Sequence, residues 1–259
     1  MPHIHYQWQG KEDGPVLVLI NGLLTDLSSW NGHLPAYTDQ FRVLTYDCRG
    51  QGQSDKPDDG PYTPAQHAED LLQLLNQNNI QQAALLGVSN GACVALQFAA
   101  EHPDRVTALV LANAYGRADT AIKVKLTSWL NGMEAGGGPL RFDISSPWIW
   151  GASYLNRHYE ALRPWREKGS ALPVYAVRNL IAGGMAMDVL DQTPNITCPT
   201  LFLTGDEDVL TPLSYSHELQ RRIRGSQIHM LREAGHCMFL EQPAQFTKAA
   251  ADFLVRNLL

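Results

Sequence analysis

Uninterrupted apolar runs punctuate the chain: Val16-Leu17-Val18-Leu19-Ile20, Arg42-Val43-Leu44-Thr45-Tyr46, Ala83 to Leu86, Val106 to Leu111, Thr200 to Thr204 and Gln227 to Leu231. A strand with one wet face alternates apolar and polar residues; a strand buried on both faces does not, so these runs predict strands of a parallel sheet. His3 to Gln9 does alternate, which predicts an edge strand, and Gly10 to Pro15 a turn. Helical stretches separate the runs: Ala65 to Asn78, with apolar positions at Leu71, Leu72, Leu74 and Leu75, then Asn90 to Glu101, Leu213 to Arg222 and Pro243 to Leu258. Strands alternating with helices predict an α/β fold, a doubly wound, mostly parallel sheet of seven or eight strands with right-handed crossovers.

The alternation stops after Asn113 and resumes near Thr200. The gap carries Trp129, Trp148, Trp150 and Trp165, four of the six tryptophans, and the flexible stretch Gly136-Gly137-Gly138. A segment leaving the sheet at a strand's carboxyl end is placed to cover it, so residues 115–191 are expected to be an inserted helical lid on a core of 1–114 and 192–259. The aromatics then either fill a small satellite core or together line an apolar chamber. No internal repeat, low-complexity tract or linker divides the chain further.

Gly87-Val88-Ser89-Asn90-Gly91 lies where a predicted strand gives way to a predicted helix. Gly-x-Ser-x-Gly in that context reads as a nucleophile elbow: the turn strains the serine backbone and leaves no room for side chains two residues to either side. A serine hydroxyl needs a base, and His236, following the run that ends at Leu231, is the candidate. A carboxylate must hold that imidazole in one tautomer. Asp206, Glu207 and Asp208 all follow the strand at Thr200 and are candidates for it. An oxyanion would need donors already in place. The backbone N–H of Asn90 is one. The second comes from the loop Asn21-Gly22-Leu23-Leu24, with Leu23 the choice and Gly22 allowing close approach; taken alone, Asn-Gly is an ordinary turn dipeptide.

With 259 residues and 28.7 kDa the chain can bury a large core. A formal net charge of -6 gives no basic footprint, so no nucleic-acid partner is expected. Cys48, Cys93, Cys198 and Cys237 lack Cys-x-x-Cys spacing and read as reduced thiols. The start Met1-Pro2-His3-Ile4-His5-Tyr6 lacks the basic and apolar regions of a signal peptide, and no run approaches a membrane span, so a cytoplasmic location is expected. His3-x-His5 has no third ligand, Gly50-Gln51-Gly52 lacks the last glycine of a dinucleotide fingerprint, and no phosphate-binding loop occurs. Neither a metal nor a cofactor is expected.

These motifs together resemble the α/β-hydrolase superfamily, in its group of lidded esterases, lactonases and related acyl-handling enzymes. The resemblance runs from Asn21-Gly22 through Tyr46 to Ser54, Gly87 to Gly91 and Gly205 to Pro212, and ends at Gly235-His236 with Glu241 and Pro243 behind it. It implies a catalytic triad in the order Ser89, Asp208, His236; Asp208 is selected because it stands four residues before Pro212. It gives Asp47 and Arg49 a role in shaping a turn. Two positions depart from the common pattern. Asn21-Gly22 replaces His-Gly, as in acyltransferases of the superfamily, and the short Asn90 side chain would leave room beside the serine. The implied activity is carboxylic-ester hydrolysis through an acyl-enzyme, on a small-molecule ester with an apolar acyl part. The alternatives are an acyltransferase acting on hydroxyacyl thioesters and a ligand-binding receptor of hydrolase form. Cys237, beside His236, is expected to be an inert buried thiol.

Overall fold

The uninterrupted apolar runs form the middle of a three-layered molecule. The computed structural model describes residues 2–168 and 172–259. Among these the strands are β1 (Tyr6–Gly10), β2 (Val16–Ile20), β3 (Arg42–Tyr46), β4 (Ala83–Val88), β5 (Val106–Ala112), β6 (Thr200–Gly205) and β7 (Gln227–Leu231). They make a seven-stranded sheet in the order β1-β3-β2-β4-β5-β6-β7, with β1 antiparallel to β3 and the other pairs parallel.

Successive residues of one run enter different cores. Val18 and Ile20 pack with the buried residues of α1 (Pro64–Gln77) and α2 (Asn90–Glu101), whereas Leu17 and Leu19 pack with Trp30, Tyr37 and the helix Pro243–Leu258. Neither face of the central strands meets water, which is why neither parity carries polar residues. Two edges differ from the expectation. Strand β1 begins at Tyr6 rather than His3, and β7 is an edge strand with Gln227, His229 and Met230 exposed rather than a doubly buried one.

Between β5 and β6 stand α3 (Thr120–Ile149), α4 (Ala152–Lys168) and α5 (Val174–Met185). The glycine stretch is a bend within α3: Gly136 and Gly137 leave helical geometry, and Gly137 adopts φ 66°, ψ -158°, a conformation that L side chains resist. The second part of α3 is thereby turned across the carboxyl ends of the strands. Two carboxylates, half-buried Glu207 and buried Glu241, tie the start of α4 to the core. The Ser153 N–H donates to Glu207 Oε2 at 2.8 Å, and Gly151 and Gly235 both donate their N–H to Glu241 Oε2, at 3.1 and 2.9 Å. The Lys125 ammonium of α3 donates to the Val209 carbonyl at 2.6 Å. Among the described residues no helix is long and apolar enough to cross a membrane.

Candidate active site

Strand order reverses between β2 and β4, the place where an open α/β sheet leaves a crevice at its carboxyl edge. Ile20 pairs with Gly87, so the loop after β2 and the turn after β4 emerge side by side. In that turn Ser89 takes φ 53°, ψ -120° and caps α2 without a side-chain bond to the helix, leaving its hydroxyl directed elsewhere. The flanking glycines are sterically required. A Cβ on Gly87 would stand 2.3 Å from the Gly91 carbonyl oxygen, and one on Gly91 would stand 2.2 Å from the Ile20 carbonyl oxygen.

The structure brings three distant residues into one row. The Ser89 hydroxyl donates to His236 Nε2 at 2.8 Å, and His236 Nδ1 donates to Asp208 Oδ2 at 3.0 Å. Asp208 and His236 are buried. Burial raises the Asp208 carboxyl, but the neighbouring His236 imidazole and the donors of Thr211 outweigh it, and the group sits below its usual range. Its second oxygen accepts from the N–H groups of Leu210 and Thr211, both at 2.9 Å. The other two acids of the segment are engaged elsewhere: Asp206 Oδ2 lies 3.5 Å from the Arg232 guanidinium, and Glu207 accepts from Ser153. Of the three candidates, only Asp208 meets the histidine among the described residues.

Two positioning groups were not foreseen. The Thr211 hydroxyl donates to Asp208 Oδ2 at 2.8 Å and lies 3.0 Å from His236 Nδ1, so it shares the imidazole proton with the carboxylate. Asn113, in left-handed geometry at φ 61° just beyond β5, donates from Nδ2 to the His236 carbonyl. The left-handed asparagine after an apolar run is a turn signal that could have drawn attention to it. Thr211 offered no such signal.

The expected oxyanion donors lie beside Ser89. Asn90 is the first helical residue of α2, where an N–H has no intrahelical acceptor, and among the described residues the Leu23 N–H has no main-chain acceptor. The loop is held from beneath: buried Asn21 donates from Nδ2 to the Thr25 carbonyl at 2.7 Å, and Leu24 is forced to φ 62°. A Cβ on Gly22 would stand 3.4 Å from Ser89 Cβ, an ordinary contact, so close approach is not what demands glycine there. The Asn90 side chain is buried. Its oxygen lies 4.0 Å from where a Cβ on Gly184 of α5 would sit, and Asn90 is not among the residues that line the space at Ser89.

Ser89 opens into a cavity of about 160 Å³. Gly22, Leu23, Ser89 and His236 form its floor, and Trp129, Phe142, Ile149, Trp150 and Trp165 come from the inserted helices. Both sequence readings of the aromatics hold: Trp150 lines the cavity and also packs with Phe142 and Leu162 in a satellite core. Trp148 is not part of the lining; Lys125 lies 5.0 Å over its ring. Cys237 borders the cavity, and burial raises its thiol well above the usual range, which keeps it neutral. Asp47 and Arg49 lie away from the row. Asp47 accepts from the N–H groups of Leu27 and Gln53, both at 2.7 Å, and Arg49 is bound in a fork by Asp70 at 2.7 and 2.8 Å.

The sequence profile of the alpha/beta hydrolase fold matches residues 15–243. The chain belongs to the α/β-hydrolase family. This hydrolase is 28% identical to a protein named putative carbamate hydrolase RutD of Variovorax paradoxus, over 98% of its own length and 96% of the relative's, and 28% identical to 3-oxoadipate enol-lactonase 1 of Acinetobacter baylyi, over 96% and 91%. Among solved structures it resembles the enol-lactonase from Burkholderia xenovorans LB400, with a TM-score of 0.88 and 29% identity, covering 98% of this chain and 97% of that one. It also resembles a thermophilic esterase from Thermogutta terrifontis, with a TM-score of 0.88 and 26% identity, covering 100% and 95%. The α/β-hydrolase is thus an enzyme, and its family implies a small-molecule substrate.

Proposed function

We propose that this enzyme hydrolyses carboxylic esters through an acyl-enzyme formed on Ser89. The observation that carries the reading is the unbroken row from the Ser89 hydroxyl through His236 to Asp208. In the first half-reaction Ser89 Oγ attacks the acyl carbon while His236 Nε2 takes its proton. Asp208 holds the imidazole in the tautomer that can accept, and stabilises the imidazolium that results. The carbonyl oxygen becomes an oxyanion facing the N–H groups of Leu23 and Asn90. The bond to the leaving alcohol then breaks, and His236 returns the proton to it. Water repeats the sequence, with the same imidazole as base, and frees the acid and the serine.

The inserted helices act in this reading as a lid that keeps bulk water from the acyl-enzyme. The cavity is small beside the several hundred Å³ of pockets for drug-sized ligands, so the acyl part is compact, and its aromatic walls suit a hydrocarbon chain. The enol-lactonase and esterase among the similar proteins are named for cleavage at a carboxylic-ester carbonyl, and the carbamate hydrolase for cleavage at a related acyl carbonyl. Asn21 gives no support to acyl transfer, because its amide is engaged with Thr25 and does not line the cavity. Ser89→Ala tests the proposal on p-nitrophenyl esters of increasing chain length. Turnover should fall at least about 10³-fold while the melting temperature holds, with the shortest esters favoured in the parent enzyme. Full activity in the variant overturns the assignment.

A further inference from the structure

Arg141 is out of place among the arginines of the inserted helices. On α3 and its neighbours Arg166 is bound in a fork by Asp143, Arg157 meets Glu233 at 2.7 Å, and Arg178 meets Glu134 at 3.0 Å. All of those pairs lie at or near the surface. Arg141 instead lines the cavity of Ser89, its Nε is shielded from water, and among the described residues no group accepts a hydrogen bond from it. Burial lowers its affinity for the proton, with no neighbouring carboxylate to compensate.

Its placement follows from the bend in α3. Beyond Gly136 and Gly137 the helix runs across the serine, and Arg141, Ser145 and Ile149, spaced by four, share the face that lines the cavity. Arg141 is half-buried, and its Nε–H, kept from water without an acceptor among the described residues, carries a cost that an anion entering the cavity removes. Of the described residues that line the cavity, Arg141 alone is permanently cationic, and it balances one negative charge. The planar fork of five donors matches a carboxylate, whereas a doubly charged phosphate would be left half neutralised.

We infer that Arg141 is an anion subsite, and that the substrate is a small ester or lactone carrying a free carboxylate. The inference rests on the reading of Ser89 as nucleophile. It refines the substrate proposed above: a hydrocarbon spacer in contact with Trp129, Phe142 and Trp150 separates the scissile carbonyl from the carboxylate.

The test compares kcat/KM for the monoethyl and diethyl esters of glutarate, which differ by one free carboxylate, in the parent enzyme, Arg141→Met and Arg141→Lys. The parent should prefer the monoethyl ester. That preference should fall about 100-fold in Arg141→Met and less in Arg141→Lys, which keeps the charge without the fork. A parent preference for the diethyl ester, or a preference in Arg141→Met within about 3-fold of the parent's, overturns the inference. Arg141→Met removes a half-buried cation whose Nε–H has no acceptor among the described residues, so its melting temperature should equal or exceed the parent's; a lower one speaks against the unpaired state. A second arm uses Ser89→Ala, which needs no turnover. Glutarate should shift its tryptophan fluorescence, the addition of Arg141→Met should abolish the shift, and inorganic phosphate should bind more weakly. Equal binding of phosphate overturns the carboxylate assignment. If Ser89-dependent hydrolysis of p-nitrophenyl acetate occurs without any preference for the acidic ester, the subsite fails and the hydrolase reading stands. If glutarate binds through Arg141 while Ser89→Ala retains full activity, the hydrolase reading fails and the anion site stands.

Discussion

The serine, imidazole and carboxylate form a row only because other groups restrict each of them. Asp208 is held by two backbone donors and by the Thr211 hydroxyl, so its carboxylate cannot rotate away from His236. Thr211→Val keeps the shape and removes the hydroxyl. Because it leaves the Asp208–His236 bond in place, it should lower kcat about 10-fold with little change in KM, and cost about 1 kcal/mol of stability. Steady-state kinetics on a short ester, beside urea unfolding, separates this positioning role from a purely structural one, in which stability would fall and kcat would not. Ser89 and His236 were legible because each follows an apolar run in a glycine-marked turn. Asp208 could be chosen over Asp206 and Glu207 only through the family resemblance. Thr211 was silent, since a threonine three residues after an acid occurs in many loops and its value lies in where the loop folds back. Arg141 was silent for the same reason: nothing local distinguishes an arginine that points into a cavity from one that points to solvent.

At the scale of single elements, the strand–turn–helix unit around Ser89 and the bend in α3 impose opposite demands on glycine. At Gly91 the neighbour is the backbone of β2, which is fixed by two parallel partners. Gly91→Ala should therefore cost about 3 kcal/mol or more, or prevent folding, because no flexible side chain can yield. At Gly137 the surroundings are open: a Cβ would be 3.9 Å from Pro139 Cδ and the cost is conformational only. Gly137→Ala should lose about 1–3 kcal/mol and remain folded. Chemical denaturation of both variants checks the order, and a larger loss at Gly137 would refute it. The contrast explains which elements could be read in advance. A central strand announces itself by its unbroken apolar run, and an elbow by small residues around a serine. The glycine stretch in α3 announced a departure from helix but not its direction, and the direction decides which face of the following turns meets the serine. The edge position of β7 is written only in the alternation of Gln227 and His229 with Ile228 and Met230, a weaker signal than that of β1 because Leu231 breaks it.

Across the whole molecule, the inserted helices and the histidine loop are joined through Glu241, whose Oε2 accepts from Gly151 on one side and Gly235 on the other. Burial raises its carboxyl above the usual glutamate range against the pull of those two donors, and Glu241 Oε1 has no partner among the described residues. A raised acid contributes stability that is fully present below its unfolded pKa and is lost as pH climbs through the folded value. Asp208 has the opposite sign. Its lowered carboxyl contributes stability present above the unfolded value and lost as pH falls through the folded one. The two windows lie on either side of the ordinary carboxylate range, so the variants should separate them. Glu241→Gln cannot ionise and should cost less stability at about pH 7 than at about pH 4, whereas Asp208→Asn should cost more near neutrality than at about pH 3. Urea midpoints at each pH, with slopes checked for constancy, measure both. A cost for Glu241→Gln that is the same at the two pH values would mean that its carboxyl is as well solvated in the fold as in the open chain, and that the join between insert and histidine loop carries no buried charge.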